Sequence, residues 1–367
     1  MSEIPTSFVH YSDEIEVKQP DEDQQIQQVV DSMARVNKLM FEKYRHGIRD
    51  AHAKSHGILR GELVIYPELA TPYAQGVFQT PKTYPVIIRL STAPGAIMPD
   101  VQPTFRGMAI KIIGVEGTKF LADQADALTQ DFLLVNHPVI PTGTVQTYLQ
   151  QQLKLEKIAG VPEQLQEMQA KITTVAHQAL HAVGIHPQPN DLGIGKQNTH
   201  ILGETFFTMA ALRYGDYIAK ISAVPLSENV SMLAGQIIDA ENDSALKDLV
   251  VDFFAKNAAE YELRVQLCTD LQIMPVEDGS VEWPQDESPY VPVGKLVIAA
   301  QQAYSPQRRV YADDVLTFNP FHCLPEHRPL GSIMRARRLA YETSSSYRHQ
   351  MNAQPRIEPT SIEDLPG

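Results

Sequence analysis

The sequence predicts an α+β fold built on a mainly antiparallel sheet. Three observations carry this expectation. Five to eight short segments have strand character, helical periodicity precedes and follows them, and no regular strand–helix–strand rhythm calls for a parallel sheet. At 367 residues the chain can hold one large core or two. Its 43% hydrophobic and 20% charged residues are the composition of a soluble, globular protein.

The elements follow in order. Residues 1–30 are polar and acidic, with Asp21, Glu22 and Asp23 followed by glutamines, and are expected to form a flexible arm. Val29, Val30, Met33, Val36, Leu39 and Met40 recur at helical spacing and predict a helix over 26–44. Alternation over 58–66 and a β-branched run over 84–92 predict two strands, and 108–113 and 131–135 two more. Helical spacing returns over 145–158 and over 162–183, where Pro162 suits a helix start. A Gly/Pro/Asn-rich loop at 184–197 leads to two strands within 204–224, around a turn at 213–216. A helix is expected over 245–254 and a strand over 261–269. Residues 276–293, with the single tryptophan Trp283, look like a polar loop. Good helix formers at 334–339 predict a helix within 331–351, and residues 352–367 form a polar, proline-bearing tail.

Charge and composition exclude several classes of function. A net charge of −13 argues against nucleic acid or an anionic membrane surface as the main partner. No apolar run approaches the roughly eighteen residues of a membrane span. The first 25 residues carry acids and no apolar signal-peptide core, so a cytoplasmic protein is expected. Cys268 and Cys323 make no disulfide framework.

Four clusters carry chemistry. In the run Arg49-Asp50-Ala51-His52-Ala53-Lys54, Arg49 and His52 are three apart and would share a face on a helical turn. Alone, such a histidine is more often a surface or core residue. In Arg89-Leu90-Ser91-Thr92, Arg89 and Ser91 share a strand face, and an arginine in so apolar a strand needs an anion or an outlet to solvent. Arg337, Tyr341 and Arg348 lie four and seven residues apart, one stripe of a helix. Two guanidiniums beside a phenol with an ordinary pKa of about 10 favour its ionised form, a hard oxygen ligand suited to ferric iron. An ordinary basic helix face would look the same. The fourth cluster, His322-Cys323 with His327, has no second ligand set to complete a zinc site and is expected to be a loop.

In this order the segments resemble the catalase core. Residues 49–54 are similar to the family's R-x-x-H-A-K, 89–92 to R-F-S-T, and Arg106-Gly107-Met108-Ala109-Ile110-Lys111 to R-G-F-A-V-K. Residues 131–138 resemble the apolar segment ending in R-D-P. Pro292-Val293-Gly294-Lys295-Leu296 matches P-V-G-K-L, Phe318-Asn319-Pro320 resembles F-D-P, and Arg337 to Tyr341 resembles R-L-F-A-Y. The resemblance spans roughly residues 45–350.

It implies haem b inside an antiparallel β-barrel reached through a channel, with 31–351 as the haem-binding domain. Tyr341 is then the axial iron ligand and Arg337 its partner. Arg49, Arg89 and Arg348 face the haem propionates, and Ser91 orients His52, which moves a proton between the oxygens of a peroxide. The resemblance departs at the distal side, where the family has an asparagine. Ungapped alignment puts Leu128 or Thr129 there, so Thr129 is the candidate for that place. Ala51 and Ala93 stand for valines, and the chain stops soon after the tyrosine, without the usual C-terminal segment, like the minimal catalase-related branch. The functions implied are a peroxidase or catalase-like enzyme on hydrogen peroxide or an organic hydroperoxide, a fatty-acid hydroperoxide lyase or allene oxide synthase, or a non-catalytic haem-binding protein. A homo-oligomer is expected by the same analogy.

Overall fold

The computed structural model describes residue 5 and residues 7–159, 197–240 and 242–367. Its strands are β1 (Lys54–Ile65), β2 (Thr83–Thr92), β3 (Arg106–Ile113), β4 (Thr129–Val135), β5 (Phe206–Phe207), β6 (Leu212–Tyr214), β7 (Tyr217–Pro225), β8 (Ala259–Leu267) and β9 (Val291–Ile298). Every pairing is antiparallel, in the order β4-β3-β2-β1-β9-β8-β7. The two-residue β5 bonds to β4 through Val135↔Phe207 and to β7 through Phe206↔Ala223, so eight strands close into a barrel. Strand β6 hangs from β7 as a hairpin outside the ring. Closure removes the sheet edges that would otherwise invite aggregation.

Strand alternation decides what lies on each side of the wall. Ile88 and Leu90 of β2, Met108 and Ile110 of β3, and Phe132 and Leu134 of β4 point into one interior cluster with Ile221, Leu263 and Val265 from the far wall. An eight-stranded barrel is just wide enough for side chains to fill it. The alternate residues face outward. There Ile58, Ile87 and Ile113 pack beneath Leu316 and Phe318, and under Leu365 near the C-terminus.

Among the described residues six helices flank the barrel: α1 (Glu22–Tyr44), α2 (Val145–Ala159), α3 (Glu228–Ser231), α4 (Ala245–Phe254), α5 (Pro306–Val310) and α6 (Ser332–Met351). The apolar stripes of α1, α2 and α6 meet at Val29, Met33, Leu149 and Ala340, and again at Ile26, Val145 and Ala336. No helix among the described residues is long and apolar enough to cross a membrane.

Several expectations change. Helix α1 starts at Glu22, inside the stretch expected to be a flexible arm, because that side chain is fully buried against Arg335 at 2.6 Å. Glu16 joins the same arginine at 2.8 Å. The polar tail also docks: Leu365 is completely buried and Glu358 reaches the buried Lys111 at 2.6 Å. Strand β9 and the short α5 were not foreseen; β9 contains Pro292 and Gly294, residues that usually punctuate loops. Residues 50–52 are bends and Arg49 has no regular structure, so Arg49 and His52 share no helix face. The helix expected over 162–183 lies outside the described residues, as does the loop after it up to residue 196.

Candidate active site

The outward face of β2–β4 positions half of the site. Arg89 stands opposite Ala109 and Ser91 opposite Gly107; on the next strand Ala109 pairs with Leu133 and Gly107 with Val135. These residues therefore form one patch of the outer wall. Helix α6 lies across it and presents Arg337, Tyr341, Ser344 and Arg348 to the space between. The segment carrying Arg49, Asp50 and His52 closes one side, and Thr317, Phe318 and Met209 complete the lining. The space between these elements, open mouth included, is about 700 Å³. It was expected in the barrel lumen. It lies against the outer wall instead, because apolar side chains already fill the interior.

His52 adopts the left-handed backbone conformation, with φ of 55°, and its Nδ1 lies 3.0 Å from Ser91 Oγ. Its backbone N–H donates to Ala93 O at 2.8 Å, and its carbonyl accepts from Arg89 Nη2 at 2.8 Å. Burial, reinforced by the charges of Arg89, Arg337 and Arg49, pushes the imidazole pKa down to about 3. The ring is therefore neutral at pH 7. A proton on Nδ1, donated to Ser91, leaves the Nε2 lone pair able to accept another.

On α6, Arg337 Nη2 donates to the Tyr341 hydroxyl oxygen at 2.6 Å. Burial opposes the Arg337 charge, but the oxygens of Tyr341 and Tyr148 and the Asp50 carboxylate raise its pKa above the usual value.

The other arginines crowd one side of the cavity. Arg49 Nη2 donates to the carbonyls of Ala312 and Leu316 at 2.6 and 2.8 Å, while its Nε has no partner. Arg348 is almost fully buried, and its Nε is also unpartnered. Burial and repulsion among Arg49, Arg89 and Arg348 push the Arg49 pKa well below its ordinary value; burial takes Arg348 down to about 10. Arg89 has an anion of its own, Asp313, at 2.9 Å. Asp50 accepts from Ser344 Oγ at 2.7 Å and so ties the histidine segment to α6.

Seven of the eight residues expected to act together, His52, Ser91, Arg49, Arg89, Arg337, Tyr341 and Arg348, line this cavity, whereas Thr129 does not. Thr129 faces the same side of β4 but lies at the other end of the strand from Val135. Its hydroxyl is buried among His322 and Glu358, and the buried Lys111–Asp131 ion pair, at 2.8 Å, sits in the next outward position. His322 belongs to that network, and no cluster of metal-ligating side chains occurs among the described residues. Sequence reasoning missed Asp313 and Asp50. Asp50 stands at an unspecified position of the Arg49–Lys54 run, and Asp313 has no periodic or motif signal; only the fold brings Asp313 to Arg89 across 224 positions.

No family model matches the chain, and no curated protein matches it. Solved structures do. A fungal catalase aligns with a TM-score of 0.56 at 18% identity, covering 89% of this chain and 67% of its own. A bacterial catalase aligns at 0.53 and 15% identity, covering 88% and 62%. Catalase A from Saccharomyces cerevisiae aligns at 0.55 and 15%, covering 98% and 74%. This chain thus spans about two thirds of the length of such structures, and its fold is catalase-like, of the α+β class.

Proposed function

We propose that this catalase-like chain is a haem-dependent oxidoreductase acting on peroxides, with haem b between the outer wall of β2–β4 and helix α6. The observation that carries the reading is the meeting, across one cavity, of a neutral His52–Ser91 pair and an Arg337–Tyr341 pair. The donor set fits the group. A phenol oxygen held by a guanidinium is a ligand for ferric iron, and the buried, unpartnered Nε atoms of two arginines suit carboxylates of the kind haem carries. Haem, when bound, supplies the ferric centre at which a peroxide O–O bond is cleaved.

The protein's own residues then have definite tasks. Arg337 donates to the Tyr341 oxygen and holds it in place, and Arg49 and Arg348 would hold carboxylates. His52 Nε2 takes the proton from one peroxide oxygen and returns it to the other, as base and then acid. Ser91 fixes the ring so that Nε2 rather than Nδ1 is free. One observation favours an organic hydroperoxide, a fatty-acid hydroperoxide included, over hydrogen peroxide. Among the described residues no asparagine or glutamine lines the cavity, and Leu133, Val135 and Met209 give it apolar walls. A positioned amide donor for a small peroxide is missing there.

The test begins with the absorption spectrum of purified protein titrated with haem. The expected outcome is stoichiometric uptake with a high-spin ferric, tyrosinate-type band that Tyr341→Phe abolishes. Turnover of hydrogen peroxide and of a polyunsaturated fatty-acid hydroperoxide is then compared, with His52→Ala as control. Failure to take up haem sinks the proposal. Uptake with every peroxide rate unchanged by His52→Ala would leave only a haem-binding protein.

A further inference from the structure

His52 occupies a backbone conformation that non-glycine residues rarely take, so something must hold it there. Two backbone contacts do so. The N–H is tied to Ala93 O, and the carbonyl accepts from Arg89 Nη2 at 2.8 Å. The arginine is in turn fixed through its Nε, which donates to Asp313 Oδ1 at 2.9 Å. The second carboxylate oxygen, Asp313 Oδ2, accepts from Ser55 Oγ at 2.8 Å. Asp313 lies in a π-helical turn, Tyr311–Val315, a rare conformation that recurs at functional sites. That turn sends two adjacent carboxylates different ways: Asp313 goes inward to β1 and β2, and Asp314 outward to His46 at 2.8 Å.

We infer that Asp313 is a positioning residue for His52, acting through a clamp in which Arg89 spans the Asp313 carboxylate and the His52 carbonyl. The clamp gives Arg89 a duty other than pairing with a cofactor carboxylate and leaves that task to Arg49 and Arg348, whose Nε atoms are unpartnered. Ser91 sets the direction of the imidazole ring, while Arg89 and Asp313 set the place of the backbone from which it hangs. A carboxylate and a guanidinium that are both largely buried make a stiff pair, because releasing either leaves a desolvated charge without its partner. The inference rests on the reading of His52 as the proton carrier, so its test has one arm that needs no haem and no peroxide.

In that arm, haem-free protein labelled with ¹⁵N-histidine is compared with Asp313→Asn by NMR, His52 being assigned through His52→Ala. The wild type is expected to show His52 in a single tautomer with a slowly exchanging amide. Asp313→Asn should average the ring signals between tautomers and speed exchange of the His52 amide by ~10-fold or more. Arg89→Lys keeps a cation beside Asp313 but cannot span both partners, so it should give the same signature should Asp313→Asn fail to fold. Asp313→Glu should restore part of the wild-type pattern. In the second arm, haem-loaded Asp313→Asn should take up haem as the wild type does, yet lose ~10–100-fold in kcat for peroxide with KM changed less than twofold, the cost of a catalytic group displaced by about an ångström. Unchanged ring and amide signals in both Asp313→Asn and Arg89→Lys overturn the inference. So does an Asp313→Asn chain whose defect is confined to haem uptake. A chain that binds no haem but shows the expected NMR changes overturns the proposed function and leaves the clamp standing.

Discussion

Gly107 lies on β3 directly opposite Ser91, beneath the imidazole of His52. A methyl group built there meets His52 Cε1 and Nδ1, each at 2.5 Å, and Ser91 Oγ at 3.0 Å. Ordinary carbon contacts begin near ~3.5 Å, so Gly107→Ala must drive the ring back by about 1 Å. Both the glycine and the serine belong to barrel strands that cannot retreat cheaply, whereas the histidine sits on an irregular segment. The ring therefore moves, and its 3.0 Å bond to Ser91 stretches or breaks. A misplacement of that size costs on the order of 100-fold in rate, and overpacking costs about 1–3 kcal/mol of stability. The assay is steady-state consumption of the better peroxide substrate by haem-loaded protein, beside a urea unfolding curve. The expected variant loads haem, unfolds at modestly lower urea, and turns over about a hundredfold more slowly. A Gly107→Ala enzyme with wild-type kcat would refute the view that the His52–Ser91 geometry governs the proton transfer.

Other outcomes follow from the same contacts. Arg348→Leu removes a buried guanidinium with unmet hydrogen-bonding capacity; charge-assisted bonds of about 1.5–3 kcal/mol then predict haem uptake ~10–150-fold weaker, read by equilibrium titration. Thr129→Val strips a buried partner from His322 and Glu358, so urea unfolding should register a loss of about 1–3 kcal/mol, while peroxide turnover stays within twofold because Thr129 is outside the cavity. His327 is buried among Phe78, Phe132 and Tyr214, with Nε2 accepting from Val77 N at 2.9 Å. Burial, helped by Arg213, holds its pKa down to about 3. The unfolded chain binds this proton near pH 6.5 and the folded chain does not until about 3. Stability from the neutral ring is thus complete above about pH 6.5 and is lost as pH falls toward 3. Relative to His327→Gln, which cannot protonate, the wild type should lose about 2 kcal/mol more between pH 7 and 5; equal losses in urea titrations at the two pH values would contradict this.

Much was legible from the sequence, because period-two and period-3.6 burial patterns are local. Residues 84–92 and 108–113 announced β2 and β3, and Val29, Met33 and Met40 announced the buried stripe of α1. The i, i+4 spacing of Arg337 and Tyr341 places one side chain on the other in any regular helix, and a bond of 2.6 Å joins them. Strand β9 escaped notice because Pro292 and Gly294 break the pattern, yet Gly294 Cα would carry a Cβ only 2.7 Å from Val64 O, so close pairing of β9 with β1 demands a glycine there.

Periodicity says that one face of a strand is covered, but not by what. Alternation alone placed Arg89 and Ser91 on a common face; tertiary structure decided that this face is the outer wall of a closed barrel, under α6. Ring closure depends on two residues, Phe206 and Phe207, too few to produce a pattern. Thr129 shares its strand face with Leu133, but its distance along β4 sets it among His322 and Glu358, and no alignment of letters measures that distance. The partner of Arg89 is likewise a matter of where the chain returns. A guanidinium in so apolar a strand needs an anion or an outlet to solvent, so the need was written in the strand itself, while Asp313 could answer it only after folding had brought the two together.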